Sequence, residues 1–220
     1  MTQSPDLAWK IVDTAVALAE RRSWESIRLH EVAAALDITL DDIRQHFREK
    51  EELVGAWFAR ADAAMLRDAA TPECARLPTR ARLHRVITTW LDALHPQRRV
   101  TREMILGQCE PGHLHVQIPA ILRISRTVQW MREAAGLRDA GIRRALAETV
   151  LTSIYLMTFI YWLQDDSSHS ARTRDLLDSL LEKAEFLARR VPGFAPPVEP
   201  WVRANPDSSG PSPPTPESAS

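Results

Sequence analysis

The stretch at residues 29–50, LHEVAAALDITLDDIRQHFREK, constrains the fold of this chain more than any other part of the sequence. It contains two short segments whose apolar residues recur at helical spacing. The inward-facing residues of the two segments are Val32, Ala33 and Leu36, followed by Ile43, His46 and Phe47. Between the segments, Asp37 tolerates the left-handed backbone that ends a helix sharply, and Thr39 can accept free amide hydrogens of the next helix. The pattern predicts a helix-turn-helix.

At residues 9–57 the sequence resembles the N-terminal domain of the TetR family of transcriptional regulators. The positions that match the family pattern are Ile11, Ala15, Leu18, Trp24, Glu31, Val32, Ala33, Ile38, Thr39, Ile43, His46, Phe47, Lys50, Glu51 and Leu53. The chain departs from the pattern where Asp37 replaces a glycine and Arg44 replaces a tyrosine. The resemblance implies an all-α, TetR-like fold, in which a three-helix helix-turn-helix domain precedes a helical regulatory and dimerisation domain.

The remaining sequence is also helical in pattern, since it has few glycines and no sustained strand-like alternation. A first helix is predicted at residues 6–22, and a long one from residue 49 to about residue 71. The later predicted helices are 79–94, 100–108, 118–135, 139–164 and 171–190, which makes about nine in all. We therefore divide the chain into a DNA-binding domain at 1–53, a ligand-binding and dimerisation domain at 54–191 and a tail at 192–220.

Composition separates the tail from the rest of the chain. Nine of the fifteen prolines lie between Pro192 and Pro216, and such a segment buries too little apolar surface to offset its chain entropy, so we expect it to be disordered. The whole chain of 220 residues is 45% hydrophobic and 26% charged, as in ordinary globular proteins. Cys74 and Cys109 show no paired spacing, and the N-terminus shows no signal-peptide pattern, so we expect reduced thiols and a cytoplasmic protein.

An uncharged stretch of fifteen residues, TVLTSIYLMTFIYWL at 149–163, is shorter than the ~20 apolar residues that a bilayer span needs. We interpret it as a buried helix that faces a ligand pocket on one side and a second subunit on the other. The candidate pocket residues are Trp90, Met104, Trp130, Tyr155, Phe159 and Trp162. The last two helices are predicted to pair with their copies across a two-fold axis as a four-helix bundle.

The candidate DNA-binding residues lie in and around the helix-turn-helix. They are Arg28, Thr39, Arg44, Gln45, Arg48 and Lys50, of which Arg44 and Gln45 are placed to reach base edges in a major groove. Residues 1–60 nevertheless carry eight Lys and Arg against eleven Asp and Glu, a net charge of −3. Two of the acids, Asp41 and Asp42, lie at the start of the second helix of the motif, where their charges oppose the attraction to phosphates that DNA binding needs. Both outcomes, DNA binding and its loss, stay open at this point.

The preferred function is a ligand-responsive, homodimeric repressor that binds double-stranded operator DNA and a small hydrophobic ligand. An alternative comes from residues 155–181, which resemble the TetR-fold accessory proteins of ubiquinone biosynthesis, lipid or isoprenoid binders without DNA activity. The positions that carry this second resemblance are Asp165, Ser167, Thr173 and Leu177. An enzyme is not expected, because no nucleophile or acid-base set can be assembled. Glu110, His113 and His115 form the one cluster with metal-ligand character, and we expect neither metal nor cofactor.

Overall fold

The computed structural model describes residues 5–108, 114–137 and 141–190, with residues 5, 108, 114–123 and 142 described by their backbone alone. The described ranges contain helices and turns and no β-strand. The helices are α1 Pro5–Arg21, α2 Leu29–Leu36, α3 Leu40–His46, α4 Lys50–Ala69, α5 Pro72–Ala75, α6 Thr79–Leu94, α7 Arg98–Gln108, α8 Leu114–Ala135, α9 Gly141–Trp162 and α10 Ala171–Ala188. The all-α prediction is confirmed, and so is its number of about nine helices, because only the four-residue α5 was not anticipated.

The predicted helix bounds hold to within about two residues for α1, α4, α6, α7 and α10, and less well for α8. Helix α6 has the predicted bounds, whereas α8 begins at Leu114 and not at residue 118. Helix α9 begins at Gly141, while its predicted start at residue 139 lies outside the described residues. The predicted tail at 192–220, Cys109, Glu110 and His113 also lie outside them.

The turn between α2 and α3 has the local structure that its residues predict. Asp37 adopts a left-handed backbone with φ of 54°, and its own N–H and that of Ile38 donate to carbonyls of the last turn of α2. Thr39 then caps α3: its Oγ1 accepts from the Asp42 N–H at 3.1 Å, while Asp42 Oδ2 accepts from the Thr39 N–H at 2.8 Å. This reciprocal cap fixes where α3 begins, which confirms the helix-turn-helix.

Helix α4 belongs to both parts of the chain. It packs against α1 and, further along, against α6 and α8. Its buried residues are Leu53, Val54, Trp57, Phe58, Ala61 and Met65. The domain boundary proposed at residue 53 therefore falls inside a continuous helix. This helix connects the helix-turn-helix domain at 1–53, called the reading domain below, to the larger helical domain at 54–191.

Helix α9 has one buried face and one exposed apolar face. Leu151, Tyr155, Phe159 and Trp162 are buried against α6, α8 and α10. The exposed face carries Leu146, Val150, Met157, Ile160 and Tyr161, which are between 40% and 57% accessible. Over Arg143–Trp162 this helix is long and apolar enough to cross a membrane, but a helix in a protein core passes the same test. Among the described residues of the single chain, one side of α9 therefore stays exposed.

Candidate nucleic-acid interface and regulatory core

The outward face of α3 carries exposed side chains of mixed chemistry. Leu40, Asp41, Arg44 and Gln45 are all exposed there, whereas Ile43 is buried against the rest of the domain. Asp41 holds the two others in place: its Oδ1 accepts from Nε and Nη2 of Arg44 at 2.9 and 2.7 Å, and its Oδ2 accepts from Nε2 of Gln45 at 3.2 Å. These hydrogen bonds lower the pKa of Asp41, so the carboxylate is ionised at neutral pH.

The second acid of α3 has a structural role. Asp42 forms the cap with Thr39, whose hydroxyl also donates to Asp42 Oδ2 at 2.7 Å. The hydrogen bonds from Thr39 lower the pKa of Asp42. The side chain of Thr39, which is also a predicted DNA contact, is engaged in the cap that begins α3.

Two of the predicted DNA contacts fold back onto the α1–α2 loop. The Lys50 ammonium donates to the carbonyl oxygens of Trp24 and Glu25 and lies 5.0 Å from the centre of the Trp24 ring. Burial, followed by the charge of Arg28, lowers the pKa of Lys50. The Arg28 guanidinium donates to the Glu25 carbonyl at 2.8 Å. Both cations therefore stabilise the loop ahead of the helix-turn-helix, an arrangement that the sequence did not predict.

Arg48 differs from the other predicted contacts. Its side chain is exposed at the end of α3, and among the described residues no hydrogen bond or ion pair engages its guanidinium. Only its backbone N–H is bonded, to Glu52 Oε2 at 2.8 Å. Arg44 and Gln45 are therefore exposed on the outward face of α3 and Arg48 is exposed just after it, whereas Lys50 and the exposed Arg28 donate to carbonyl oxygens of the α1–α2 loop.

Helix α7 binds the larger domain to the reading domain. The Arg99 guanidinium donates to the carbonyl oxygens of Ala19 and Glu20, at 2.8 and 2.7 Å, where α1 ends. Arg99 also pairs with Glu103, and Glu103 Oε2 accepts from the Trp24 N–H at 2.7 Å. These contacts were missed from the sequence because they join residues about eighty positions apart.

The larger domain has an aromatic cluster at its centre. Trp90 on α6 and Tyr155 and Phe159 on α9 lie with ring centres between 5.3 and 6.0 Å apart, and Phe58 stacks on Trp90 at 5.8 Å. Trp162 extends the cluster, 5.9 Å from Phe159, and its buried Nε1 has no hydrogen-bond partner among the residues that the structure describes. Four of the six predicted pocket residues are thus brought together.

The other two predicted pocket residues differ in burial. Met104 is buried on α7, at 1% exposure, and forms part of the general core. Trp130 on α8 is 44% exposed, so its indole does not line a closed space within one chain. Thr127, at 2% exposure, is one of the buried residues of α8, and the periodicity of the sequence did not single it out.

A carboxylate that the sequence analysis missed lies beside the aromatic cluster. Asp62 Oδ1 accepts from Trp90 Nε1 at 2.7 Å and from Thr127 Oγ1 at 3.1 Å. Asp62 therefore joins α4, α6 and α8 through polar contacts inside an apolar region. Nothing in the run ARADAAMLRDAA distinguishes Asp62 from the next acid, Asp68, which forms a bidentate ion pair with Arg85.

The structure gives no new support to a metal site. Among the residues that it describes, no group of three His, Cys, Asp or Glu is placed to hold a metal ion. The side chain of His115, like Glu110 and His113, lies outside the description.

The fold and the site define a helical protein that joins a helix-turn-helix to a larger helical domain. The crystal structure of the TetR transcriptional regulator from Nitrosomonas europaea ATCC 19718 is 49% identical, with a TM-score of 0.74, over 82% of this chain and 99% of its own. The chain belongs to the TetR family of transcriptional regulators, and its fold is TetR-like. A regulatory protein of the tetR family from Rhodococcus RHA1 is 16% identical, with a TM-score of 0.43, over 82% of this chain and 96% of its own.

A family model matches the C-terminal part of the chain. The COQ9 family model matches residues 142–190, which cover α9 and α10. No curated protein matches the chain. Within the matched segment, Asp165 accepts hydrogen bonds from the N–H and hydroxyl groups of Ser167 and Thr173 and so anchors the start of α10. The residues that carry the second resemblance therefore have a structural function of their own.

Proposed function

We propose that this protein is a homodimeric repressor that binds double-stranded operator DNA through α3 and leaves it when a small hydrophobic ligand binds the larger domain. The observation that carries the proposal is the outward face of α3, where Arg44 and Gln45 are exposed on a helix whose start is fixed by the Thr39 cap, with Arg48 exposed two residues after the helix ends. A major groove admits such a helix, and arginine and glutamine are side chains that read base edges there. The proposal also implies a cytoplasmic, non-enzymatic protein.

Affinity in this proposal comes from few phosphate contacts. Residues 1–60 have a net charge of −3, and Lys50 and Arg28 donate to loop carbonyls. Arg48 is the cation best placed to reach a phosphate. Binding should therefore depend weakly on salt for a DNA-binding protein, with a slope set by a small number of neutralised phosphates.

The aromatic cluster supports the ligand part of the proposal. Trp90, Tyr155 and Phe159 supply apolar surface, and the Asp62 carboxylate and Thr127 hydroxyl supply polar groups between the same helices. Sites for small molecules combine these features. A ligand that separated α6 from α9 would shift α7, because α7 follows α6 through a short 3₁₀ turn at His95–Gln97.

The exposed apolar face of α9 supports the homodimer. Its residues Leu146, Val150, Met157 and Tyr161 follow one another at intervals of four and seven, which places them on one side of the helix. On α10, Phe186 and Leu187 are also exposed, at 53% and 62%. A second copy that covers both helices across a two-fold axis would bury these side chains as a four-helix bundle.

The test of the DNA function uses purified full-length protein and a labelled duplex from the region upstream of its own coding sequence. Fluorescence anisotropy at several salt concentrations should show binding that weakens with salt, and a competing unrelated duplex should displace it less well than the same sequence. Absence of salt-dependent binding to every duplex offered would refute the regulator. Arg44→Ala should weaken specific binding, and circular dichroism should show that the variant is folded.

The alternative function is a lipid-binding accessory protein that has kept the fold and lost DNA binding. The COQ9 match to residues 142–190 and the net negative charge of the reading domain favour it. Mass spectrometry of organic extracts of the purified protein distinguishes the two. A stoichiometric isoprenoid or phospholipid together with no DNA binding would favour the alternative, whereas DNA binding released by an added apolar compound would favour the repressor.

A further inference from the structure

The outward face of α3 presents an acid and a base that are bonded to each other. Asp41 is 61% exposed and Arg44 is 71% exposed, and one carboxylate oxygen accepts from both Nε and Nη2 of the guanidinium. An exposed ion pair of this kind contributes little to folding. Asp41 also lies in the first turn of α3, where a carboxylate gains only a modest stabilisation from the helix dipole. Stability therefore gives only a weak reason for placing a carboxylate on the face of the helix that we propose meets the negatively charged DNA.

The hydrogen bonds to Asp41 orient the donors of Arg44 that remain. A guanidinium has five N–H groups in one rigid plane. Two of them point to Asp41, which leaves the two hydrogens of Nη1 and the second hydrogen of Nη2 on the far edge. That edge can donate two parallel hydrogen bonds, which is the pattern that N7 and O6 of guanine accept in the major groove.

The carboxylate complements the other half of the same base pair. A G·C pair presents the N4 amino group of cytosine beside O6 of guanine, and acidic side chains accept from that group. Asp41 lies one turn ahead of Arg44, and its Oδ2 is shared only with the amide of Gln45 at 3.2 Å among the contacts of the described residues. The two side chains thus offer donors and an acceptor in the order that a G·C pair requires.

We propose that Asp41 and Arg44 together read one G·C base pair in each operator half-site, with Arg44 donating to guanine and Asp41 accepting from the cytosine amino group. The inference rests on the proposed DNA binding and adds to it a base pair that the operator must contain. Because the pair has no net charge, it gains nothing from the phosphates of other sequences. Asp41 therefore lowers affinity for non-specific DNA and confines binding to sites that supply the amino group.

The experiment compares wild-type protein with Asp41→Asn and with a charge-matched control, Glu51→Gln. Glu51 is exposed in the first turn of α4 and is not on the outward face of α3, so its substitution removes the same charge from the same domain. Each protein is used to select duplexes from a random double-stranded library, and the selected sites are then measured by anisotropy. Thermal unfolding checks that all three proteins are folded.

Wild-type sites should share a G·C pair at one position of each half-site. Changing that pair to A·T should weaken wild-type binding by roughly 5- to 150-fold. In Asp41→Asn this penalty should fall several-fold or reverse towards A·T, because asparagine pairs well with adenine. Glu51→Gln should retain the full penalty, although both variants should bind non-specific DNA more tightly than wild type because each has lost a negative charge.

Two negative results are distinguishable. If wild-type protein enriches a site and Asp41→Asn keeps the same preference as Glu51→Gln, the paired reading of G·C is wrong and the repressor function stands. If wild-type protein enriches no sequence and shows no salt-dependent binding, the proposed DNA function fails, and the inference fails with it.

Discussion

Glu103 on α7 accepts a hydrogen bond from the backbone N–H of Trp24, at 2.7 Å, across the boundary between the larger domain and the reading domain. Arg99, one turn earlier, donates to the last carbonyls of α1 and pairs with Glu103. A third contact lies deeper, where Trp57 Nε1 on α4 donates to the buried Thr101 hydroxyl at 3.0 Å. Together these contacts attach α7 to α1 and to α4. Helix α1 packs against α3, and α4 follows α3 in the chain.

The first prediction concerns this attachment. Arg99→Ala removes the cap on the carbonyls of Ala19 and Glu20 and leaves Glu103 without its cation. We expect the free energy of unfolding to fall by ~1 to 3 kcal/mol and the Trp24 amide to exchange its hydrogen faster. Arg102→Ala on the same helix is the control, since Arg102 is exposed. Equal exchange in the two variants would contradict the proposed attachment.

The second prediction distinguishes Lys50 from Arg48, two cations that were both predicted from the sequence to contact DNA. Lys50→Ala should lower the melting temperature, because the carbonyls of Trp24 and Glu25 lose their donor, at a cost of ~1 to 3 kcal/mol. Arg48→Ala should leave the melting temperature nearly unchanged and reduce the salt slope of DNA binding by about one unit. Thermal unfolding and salt titration of both variants provide the measurement. A Lys50→Ala protein with wild-type stability would show that its ammonium is free to bind phosphate.

The comparison of Lys50 with Asp37 shows what the sequence can and cannot predict. Asp37, Thr39 and Asp42 interact with neighbours within a few positions, so their turn and cap follow from local chemistry. Lys50 reaches loop carbonyls about 25 positions away, and no local pattern encodes that contact. The fold of the reading domain could therefore be predicted, whereas the number of cations free to bind DNA could not.

In the larger domain, helical spacing predicted some of the interior residues and missed others. Helical spacing placed Trp90, Tyr155 and Phe159 on inward faces, and the structure brings their rings together. Helical spacing alone did not show which side of α8 faces the interior. Trp130 was therefore predicted to be inside but is 44% exposed, whereas Thr127 is buried. The rotation of a helix with apolar residues on several sides depends on its packing partners, which the sequence does not specify.

The third prediction concerns the start of α10. Burial would raise the pKa of Asp165, but hydrogen bonds from Ser167 and Thr173 outweigh burial and hold the pKa well below its usual range. The charged form thus stabilises the fold above the unfolded pKa of about 3.9, and this contribution is lost as pH falls below that value towards the folded pKa. Asp165→Asn should lower the free energy of unfolding by ~2 kcal/mol at pH 7.

Urea unfolding of wild type and Asp165→Asn at pH 7, 5 and 3 checks this prediction. The difference in unfolding free energy should be the same at pH 7 and 5 and smaller at pH 3. Asp166→Asn is the matched control, because the side chain of Asp166 is 98% exposed and should show little difference at any pH. A constant difference down to pH 3 would mean that the Asp165 charge is not the stabilising feature.

The fourth prediction tests the aromatic cluster as a ligand site. A small apolar compound that binds there should raise the melting temperature and quench tryptophan emission, because Trp90 and Trp162 lie within the cluster. Phe159→Ala should reduce both effects, and it should cost ~3 to 5 kcal/mol if the ring is close-packed core. Trp130→Phe serves as a control that removes an exposed indole and should keep the quenching. Quenching that disappears with Trp130 would place the compound on the surface.

The last prediction uses the adjacent residue Ile160, which belongs to the exposed apolar face of α9 and is 57% exposed. If that face is covered by a second copy, Ile160→Asp places a charge in an apolar interface, and sedimentation at micromolar concentration should show the dimer shifting to monomer. Its melting temperature should then lose the dependence on protein concentration that the wild-type dimer shows. Glu51→Gln, at an exposed site at the start of α4 and outside α9 and α10, should leave the dimer intact. A wild-type protein that sediments as a monomer would leave the apolar face of α9 exposed and refute the homodimer.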